Sequence, residues 1–142
     1  QIVKKIGLDD VDVRYVDKND LNQEMIPFMY GFVLREDSVV NRVATPTKLS
    51  NYIANGIIPI CSSVVEDFTE HTRTLKYVVH VTSENENEIA NEIIYELNNK
   101  FRGFDNLEQK KEYISIFSNY YSPERYKIEM NKKIKSLLKD FA

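Results

Sequence analysis

Short apolar runs alternate with amphipathic stretches along this chain. Each run is bounded by polar turn residues and therefore predicts a strand. The predicted strands cover residues 11–16, 30–34, 57–61 and 76–82. Helical patterns between them complete an alternation that is typical of an α/β fold, in which a Rossmann-like parallel sheet is flanked by helices.

Residues that typically begin or end helices predict two helices in the first half of the chain. Asp20 can cap a helix that runs to about residue 28, and the apolar residues on one face of this helix are Leu21, Met25, Ile26 and Phe28. A second helix has Thr45 at its N-cap, Pro46 at its first position and Gly56 just past its end. Its apolar residues recur at helical spacing, at Leu49, Tyr52 and Ile53.

Two of the predicted strands carry information about their surroundings. Residues 30–34 form a compact apolar run, as expected for a strand that is covered on both faces. Pro59 has no N–H group to donate, so it places the strand at residues 57–61 near a sheet edge or at a strand start.

The second half of the chain ends in helices. Ser83 caps a long helix, with Glu86 completing a capping box, and the buried stripe of this helix is Ile89, Ile93, Ile94, Leu97 and Phe101. A helix over residues 107–121 follows Asp105. After Pro123, a last helix carries an apolar stripe of Tyr126, Met130, Ile134, Leu137 and Leu138. The lysines of this helix are most simply a solvated face, and a membrane or partner contact is the alternative.

Composition narrows the class of protein. The chain has 142 residues, of which 42% are hydrophobic and 29% charged, which fits one globular domain. A formal net charge of -3 argues against a dedicated nucleic-acid-binding protein. Cys61 is the single cysteine, which excludes a disulfide framework and a cysteine-based zinc site. No apolar run approaches the ~18 residues that a membrane span needs.

The connector after the strand at residues 30–34 is the richest in candidate chemistry. In parallel α/β sheets, ligands bind beyond the carboxyl ends of the strands. This connector supplies Arg35, Arg42 and Lys48, and it leads directly into a helix N-terminus. Because the first backbone N–H groups of a helix are free and its dipole is positive there, such an end binds anions.

The positive charge of Lys48 is unfavourable at its position in the predicted helix. It lies in the first turn of the predicted helix, where the dipole disfavours a cation by a few tenths of a kcal/mol. A bound phosphate would resolve the conflict, because Lys48 and the free N–H groups would share one anion. The alternatives are a solvated lysine, or one that pairs with Glu36 or Asp37.

Residues 31–60, GFVLREDSVVNRVATPTKLSNYIANGIIPI, resemble the donor-binding half of GT-B-fold glycosyltransferases. The likeness is greatest to bacterial enzymes that build surface polysaccharides. In those enzymes a strand ending in Leu-Arg-Glu leads to an Asn-Arg-Val-Ala-x-Pro-x-Lys segment, a helix, a Gly and a Pro-Val-Ile strand. The resemblance implies an enzyme that transfers a sugar from a nucleoside diphosphate to an acceptor hydroxyl.

The resemblance also implies roles for individual residues. Lys48, with the helix start at Thr45 and Thr47, would hold the diphosphate of the nucleotide-sugar. Arg35 and Arg42 would make further phosphate or sugar contacts, and Lys48 and Arg35 would act in catalysis. Neither a metal nor another cofactor is expected, because cationic side chains and the helix dipole stabilise the leaving group in this family.

The sequence departs from the family pattern at two positions. Asn51 stands where the family usually has a Glu that bonds the ribose hydroxyls. An amide still accepts and donates hydrogen bonds, but it is a weaker acceptor than a carboxylate. Val43 stands where many relatives have the first Glu of a glutamate–seven residues–glutamate element.

The family's nucleotide-binding domain begins with two strands that have no counterpart here. Residues 2–8 look like the helix before the third strand. In the order 3-2-1-4-5-6, the missing pair would lie between the strands at residues 11–16 and 30–34. Residues 1–142 are therefore expected to be one partial donor-binding domain, with the sheet in 1–104 and helices in 105–142.

The partners implied by the resemblance are a nucleotide-sugar, a glycan or lipid-linked acceptor, and an N-terminal acceptor-binding domain that carries the usual catalytic base. The implied location is the cytoplasm, with peripheral association at the inner face of the membrane. The alternative is a noncatalytic α/β interaction or regulatory domain that kept the fold and lost tight donor binding.

Histidine and cysteine offer little further chemistry. His71 lies in a polar connector and is expected to be solvent-exposed. His80 lies inside a predicted strand, where a core or edge histidine is expected. Cys61 is expected to be a small buried hydrophobe. The spacing of these residues does not match a metal site.

Overall fold

The computed structural model describes residues 12–44 and 47–140, and within them three parallel strands form one sheet in the order β1-β2-β3. The strands are β1 Tyr30–Val33, β2 Ile58–Ser62 and β3 Val79–Val81. The α-helices are α1 Leu21–Met25, α2 Val39–Val43, α3 Thr47–Ala54, α4 Glu66–Thr72, α5 Glu86–Lys100, α6 Asn106–Ile116 and α7 Pro123–Asp140. A π-helix, Phe117–Tyr121, joins α6 to α7. The predicted α/β class, with a parallel sheet and C-terminal helices, is confirmed.

The central strand β2 is buried along its whole length. Its Ile58 lies beside Tyr30 of β1, and its Ile60 lies beside Val79 of β3. Pro59 is thus the second residue of the middle strand, so the edge placement is wrong and the strand-start placement holds. A missing N–H is tolerated there because the ladder is only beginning.

The strand predicted at residues 11–16 does not form. Residues 12–17 have no regular secondary structure, and residue 11 and the helix predicted at 2–8 lie outside the described residues. No strand among the described residues pairs with the outer edge of β1. Val13 and Tyr15 are 75% and 90% exposed. Alternation alone did not make a strand here, because a strand needs a neighbour to satisfy its backbone groups.

Helix α1 is shorter than predicted because of Pro27. The helix ends at Met25, since proline has no N–H to continue the hydrogen-bond ladder. Asp20 stands at its N-cap but makes no side-chain capping bond, contrary to the prediction. Ile26 and Phe28 are exposed, whereas Met25 is half-buried.

One face of strand β1 is buried, and the opposite face is covered only at Tyr30, which is half-buried against the second core layer. Gly31 and Val33 are buried, but Phe32 is 55% exposed. The expectation that both faces are covered is therefore wrong. Leu34, beyond the end of the strand, is also exposed.

Two layers of side chains cover the sheet. The larger core contains Val33, Leu49, Ile53, Cys61, Val65, Phe68, Tyr77, Val78, Tyr113 and Ile116. On the other face, α5 packs against Ile60, Val79 and Val81 through Ile89, Ile93 and Leu97. Ile94, predicted in the buried stripe, is exposed.

The start of α5 also differs from the prediction. Asn85, not Ser83, is the N-cap, and its side chain accepts a 3.0 Å bond from Asn87 N–H. Ser83 lies two residues before this cap, and its N–H donates to the carboxylate of Glu92 at 3.0 Å.

Tyrosines attach α6 to the sheet. The hydroxyl of Tyr113 donates to the carbonyl of Tyr77 at 2.5 Å. The hydroxyl of Tyr77 donates to Glu108 at 2.7 Å and accepts from Asp105 N–H at 3.1 Å. Asp105 also caps α6, and its side chain accepts from the N–H groups of Leu107 and Glu108. Because these polar groups satisfy one another, the tyrosines can be buried at little cost.

Candidate functional site

A cavity of about 340 Å³ lies between α1, β1 and α3. Its walls are mainly apolar and aromatic. Leu21 and Met25 come from α1, and the β1 region and α3 add Phe28, Tyr30, Gly31, Phe32, Tyr52 and Ile57. Two polar side chains join this lining, Lys48 and Asn51. An apolar cavity with a few convergent polar groups is the usual form of a small-molecule site.

The amphipathic pattern of α3 places these polar side chains. Leu49 and Ile53 are 0% and 2% exposed and fix the helix against the core. Lys48 and Asn51 are three residues apart, so they lie on the same side of the helix, one turn from each other. Asn51 is half-buried and Lys48 is exposed. The helix stops at Ala54 and is followed by Gly56 at φ 72°, as the sequence predicted.

A close contact between α3 and β1 shapes the wall of the cavity. A Cβ atom on Gly31 would lie 2.6 Å from ring carbons of Tyr52, so only glycine lets the ring approach the strand this closely. Burial raises the pKa of Tyr52. Sequence reasoning missed both residues as parts of the site. The available signal was a glycine inside an apolar strand, which often marks such an approach.

The two arginines of the connector are held by nearby polar groups. Arg42 donates to both carboxylate oxygens of Asp37, at 2.6 and 2.5 Å. This hydrogen-bonded pair lowers the pKa of Asp37. The guanidinium of Arg35 donates to Asn41 at 3.3 Å, and its backbone N–H donates to the hydroxyl of Ser62 at 2.7 Å.

A short helix that the sequence reasoning missed organises this connector. It is α2, capped by Ser38, whose hydroxyl accepts from Asn41 N–H at 3.3 Å. The sequence pattern that could have predicted this helix is a serine followed by valines at helical spacing. These valines, Val39, Val40 and Val43, are exposed. The connector is thus a folded segment, and Arg35 is positioned by its bond to Ser62.

The structure brings together some of the predicted site residues. Lys48 and Asn51 line one cavity, whereas Arg35 and Arg42 are not part of its lining. Thr47 is the exposed first residue of α3. The predicted cap at Thr45 and Pro46 lies outside the described residues.

The ion-pair alternatives for Lys48 can be compared with the described ion pairs. Asp37 pairs with Arg42. Among the residues that the structure describes, no ion pair includes Lys48 or Glu36. A solvated lysine and a lysine that binds a ligand anion are the remaining alternatives.

The carboxyl end of β3 holds an anion that belongs to the protein itself. The carboxylate of Glu92 accepts bonds from the N–H groups of Thr82 and Ser83 and from the hydroxyl of Thr82, at 2.8 to 3.1 Å. Desolvation works against the charged form, but these bonds outweigh it, so the pKa of Glu92 is lowered. The donors at this end are therefore occupied.

The two histidines and the cysteine are packed against other side chains of the fold. His71, expected to be solvent-exposed, is partly buried in α4 and stacks on Tyr120 at 4.0 Å, so that expectation is wrong. Cys61 is fully buried, as predicted, and lies 3.6 Å from a ring nitrogen of His80. Burial raises the pKa of Cys61 to about 12, so a nucleophilic thiolate does not form near neutral pH.

His80 gives the fold a pH dependence. Burial lowers its pKa below the ordinary value of 6.5, against a weaker opposing hydrogen bond with Thr72. The stability that neutral His80 contributes is therefore fully present above pH 6.5. It is lost as the pH falls from 6.5 toward the lower pKa of His80 in the folded protein. The urea midpoint should fall between about pH 7.5 and 5.5. In His80→Gln the urea midpoint should change less over this pH range. In His71→Gln, the matched control, it should fall as it does in the wild type. Flattening by His71→Gln instead would contradict the assignment.

Comparison of the chain with models of known protein families, with curated proteins and with solved structures finds no match. Within the described ranges, no helix is long and apolar enough to cross a membrane. The same residues contain no cluster of three or more potential metal ligands.

Proposed function

We propose that this chain is the donor-binding part of a glycosyltransferase, which transfers a sugar from a nucleoside diphosphate to an acceptor hydroxyl. The observation that supports it most is the cavity lining, where Lys48 and Asn51 face aromatic walls from the first two turns of α3. The resemblance of residues 31–60 to GT-B enzymes supports the same activity.

The cavity offers one group for each part of a nucleotide. Lys48, near the positive end of α3, suits the diphosphate, because a charge-assisted bond and the helix dipole both favour an anion there. Asn51, one turn further along, can accept a hydrogen bond from one ribose hydroxyl and donate to the other. Tyr30 and Tyr52 provide apolar ring surface for a base. The order along the helix therefore matches the order phosphate, ribose, base.

These groups would assist departure of the nucleoside diphosphate. The acceptor oxygen forms a bond to the anomeric carbon, and the bond from that carbon to the phosphate oxygen breaks. The electron pair moves onto the diphosphate, where Lys48 stabilises the added charge. Arg35, which is bonded to Ser62 and Asn41 outside the cavity lining, is proposed as a second cation for this role on the resemblance of residues 31–60 alone. The proton of the acceptor hydroxyl passes to a base outside this chain, in the acceptor-binding domain.

The proposed reaction also needs an acceptor and a place in the cell. The acceptor is a hydroxyl on a glycan or lipid-linked sugar, and this reaction takes place in the cytoplasm. The alternative is a noncatalytic interaction domain, and Asn51 is the observation that favours it, since an amide holds ribose less tightly than a carboxylate.

Calorimetric titration of the chain with UDP, GDP and ADP tests the donor site. One of the three should bind saturably, and Lys48→Ala should weaken that binding at least tenfold, about 1.4 kcal/mol. Lys110→Ala, an exposed lysine on α6, is the matched control and should bind as the wild type does. Absence of saturable binding in a folded sample, or equal loss in both variants, would contradict the proposal.

A second titration tests the ribose contact. The nucleotide that binds should be compared with its 2′-deoxy analogue, in the wild type and in Asn51→Ala. The wild type should prefer the ribose form, whereas Asn51→Ala should bind the two forms equally, because the partner of the hydroxyl is gone. An unchanged preference in Asn51→Ala would remove Asn51 from the site.

A further inference from the structure

Helix α7 has few contacts with the other residues that the structure describes, and these are made mainly with the π-helix. Residues 123–136 are all exposed. The helix is attached near its start, where the hydroxyl of Tyr126 donates to the carbonyl of Tyr120 at 2.6 Å. Arg125 lies over the ring of Tyr120, 5.7 Å from its centroid. An exposed helix of this length needs either its own local stabilisation or a surface to lie on.

The helix nevertheless has a continuous apolar stripe. Tyr126, Met130 and Ile134 are four residues apart, so they lie along one side over two turns and more. They are 54%, 62% and 47% exposed. Hydrophobic side chains repeated on one face are expected to be covered by something apolar.

The charges of α7 differ in sign from those of the whole chain. Residues 123–136 contain five basic and two acidic side chains, whereas the chain has a formal net charge of -3. Both acids are engaged locally, Glu129 with Arg125 at 3.1 Å and Glu124 with the hydroxyl of Ser122 at 2.7 Å. Among the described ion pairs, none includes the four lysines of this stretch, Lys127, Lys132, Lys133 and Lys135.

The lysines are placed around the stripe in a specific way. Each residue advances about 100° around a helix. Lys127 and Lys133 therefore border the apolar stripe on its two sides, while Lys132 and Lys135 lie on the opposite face. An apolar stripe bordered by cations matches the boundary between acyl chains and anionic headgroups.

We infer that α7 is a docking surface for an anionic lipid bilayer, in which the stripe enters the interface and the bordering lysines contact the headgroups. The charge complementarity between these lysines and an anionic leaflet favours this occupant, because each cation near the surface is attracted to the negative headgroups. This inference is independent of the nucleotide site, and its readout does not depend on nucleotide binding.

Vesicle flotation with the full chain tests the inference. The protein should float with phosphatidylcholine vesicles that contain phosphatidylserine, and it should not float with phosphatidylcholine alone. Ile134→Asn should weaken the binding about tenfold, because it places an amide in the stripe. Ile128→Asn is the matched control, since Ile128 is also exposed, at 56% against 47% for Ile134, but lies away from the stripe. Added salt should weaken the binding.

Several outcomes would overturn the inference. One is absence of binding to the phosphatidylserine vesicles by a sample whose helicity is intact by circular dichroism. Another is equal loss in Ile134→Asn and Ile128→Asn. A third comes from light scattering: a dimer of the wild type that Ile134→Asn disrupts would show that a second copy of the chain covers the stripe.

Discussion

Replacing Phe68 with alanine should lower the free energy of unfolding by about 3–5 kcal/mol. The side chain is 2% exposed and lies in the larger core, where its ring is 6.4 Å from His80 and 6.3 Å from Tyr121. Truncation would remove this packing and leave a cavity that the sheet and the π-helix cannot fill. Urea denaturation followed by circular dichroism measures the change.

Phe32 provides a matched control for this prediction. It is the same residue type in strand β1, but it is 55% exposed. Phe32→Ala should cost less than about 1.5 kcal/mol, because little packing is lost there. If Phe68→Ala costs no more than Phe32→Ala, the core described around α4 and the π-helix is wrong.

Gly31→Ala should destabilise the protein by about 1–3 kcal/mol. The added methyl would lie 2.6 Å from the ring of Tyr52, so either the ring or the strand must move. Because Tyr52 forms part of the cavity wall, the same change should weaken nucleotide binding if the proposed site is correct. Urea denaturation gives the first effect, and calorimetric titration gives the second.

A double-mutant cycle identifies the cause of this destabilisation. In a Tyr52→Ala background the ring is absent, so adding Gly31→Ala should cost much less than it does in the wild type. Additive costs would show that Gly31 is needed for a reason other than its contact with Tyr52. Such a result would contradict the conclusion that Gly31 is required by the close approach of the Tyr52 ring.

The candidate site was predicted in part. Lys48 was identified from its place in the first turn of a predicted helix, and Asn51 from the resemblance of residues 31–60 to GT-B enzymes; the structure places both in the lining of one cavity. The aromatic wall was not identified, since Tyr52 reaches Gly31 only where α3 lies across β1. The pairing of Arg42 with Asp37 was also missed, because it depends on the turn that α2 introduces.

Local sequence by itself determined five of the seven α-helices, all but α2 and α4, and the approximate positions of three strands. Caps, periodicity and breakers act between residues a few positions apart, so the end of α3 at Gly56 and the start of α7 at Pro123 could be predicted. The α/β class follows from the same alternation. These features require no knowledge of what lies across the sheet.

Tertiary structure alone decided which apolar residues are covered. The stretch at 11–16 carries a strand pattern, but no strand of the described residues lies beside residues 12–16, and the exposure of Phe32 depends on what lies over β1. His71 is partly buried because Tyr120, distant in sequence, stacks on it. Burial and pairing are contacts between distant segments, and their free energy depends on both partners. A pattern in one segment therefore specifies what it can bury, while its neighbours in space decide whether it is buried.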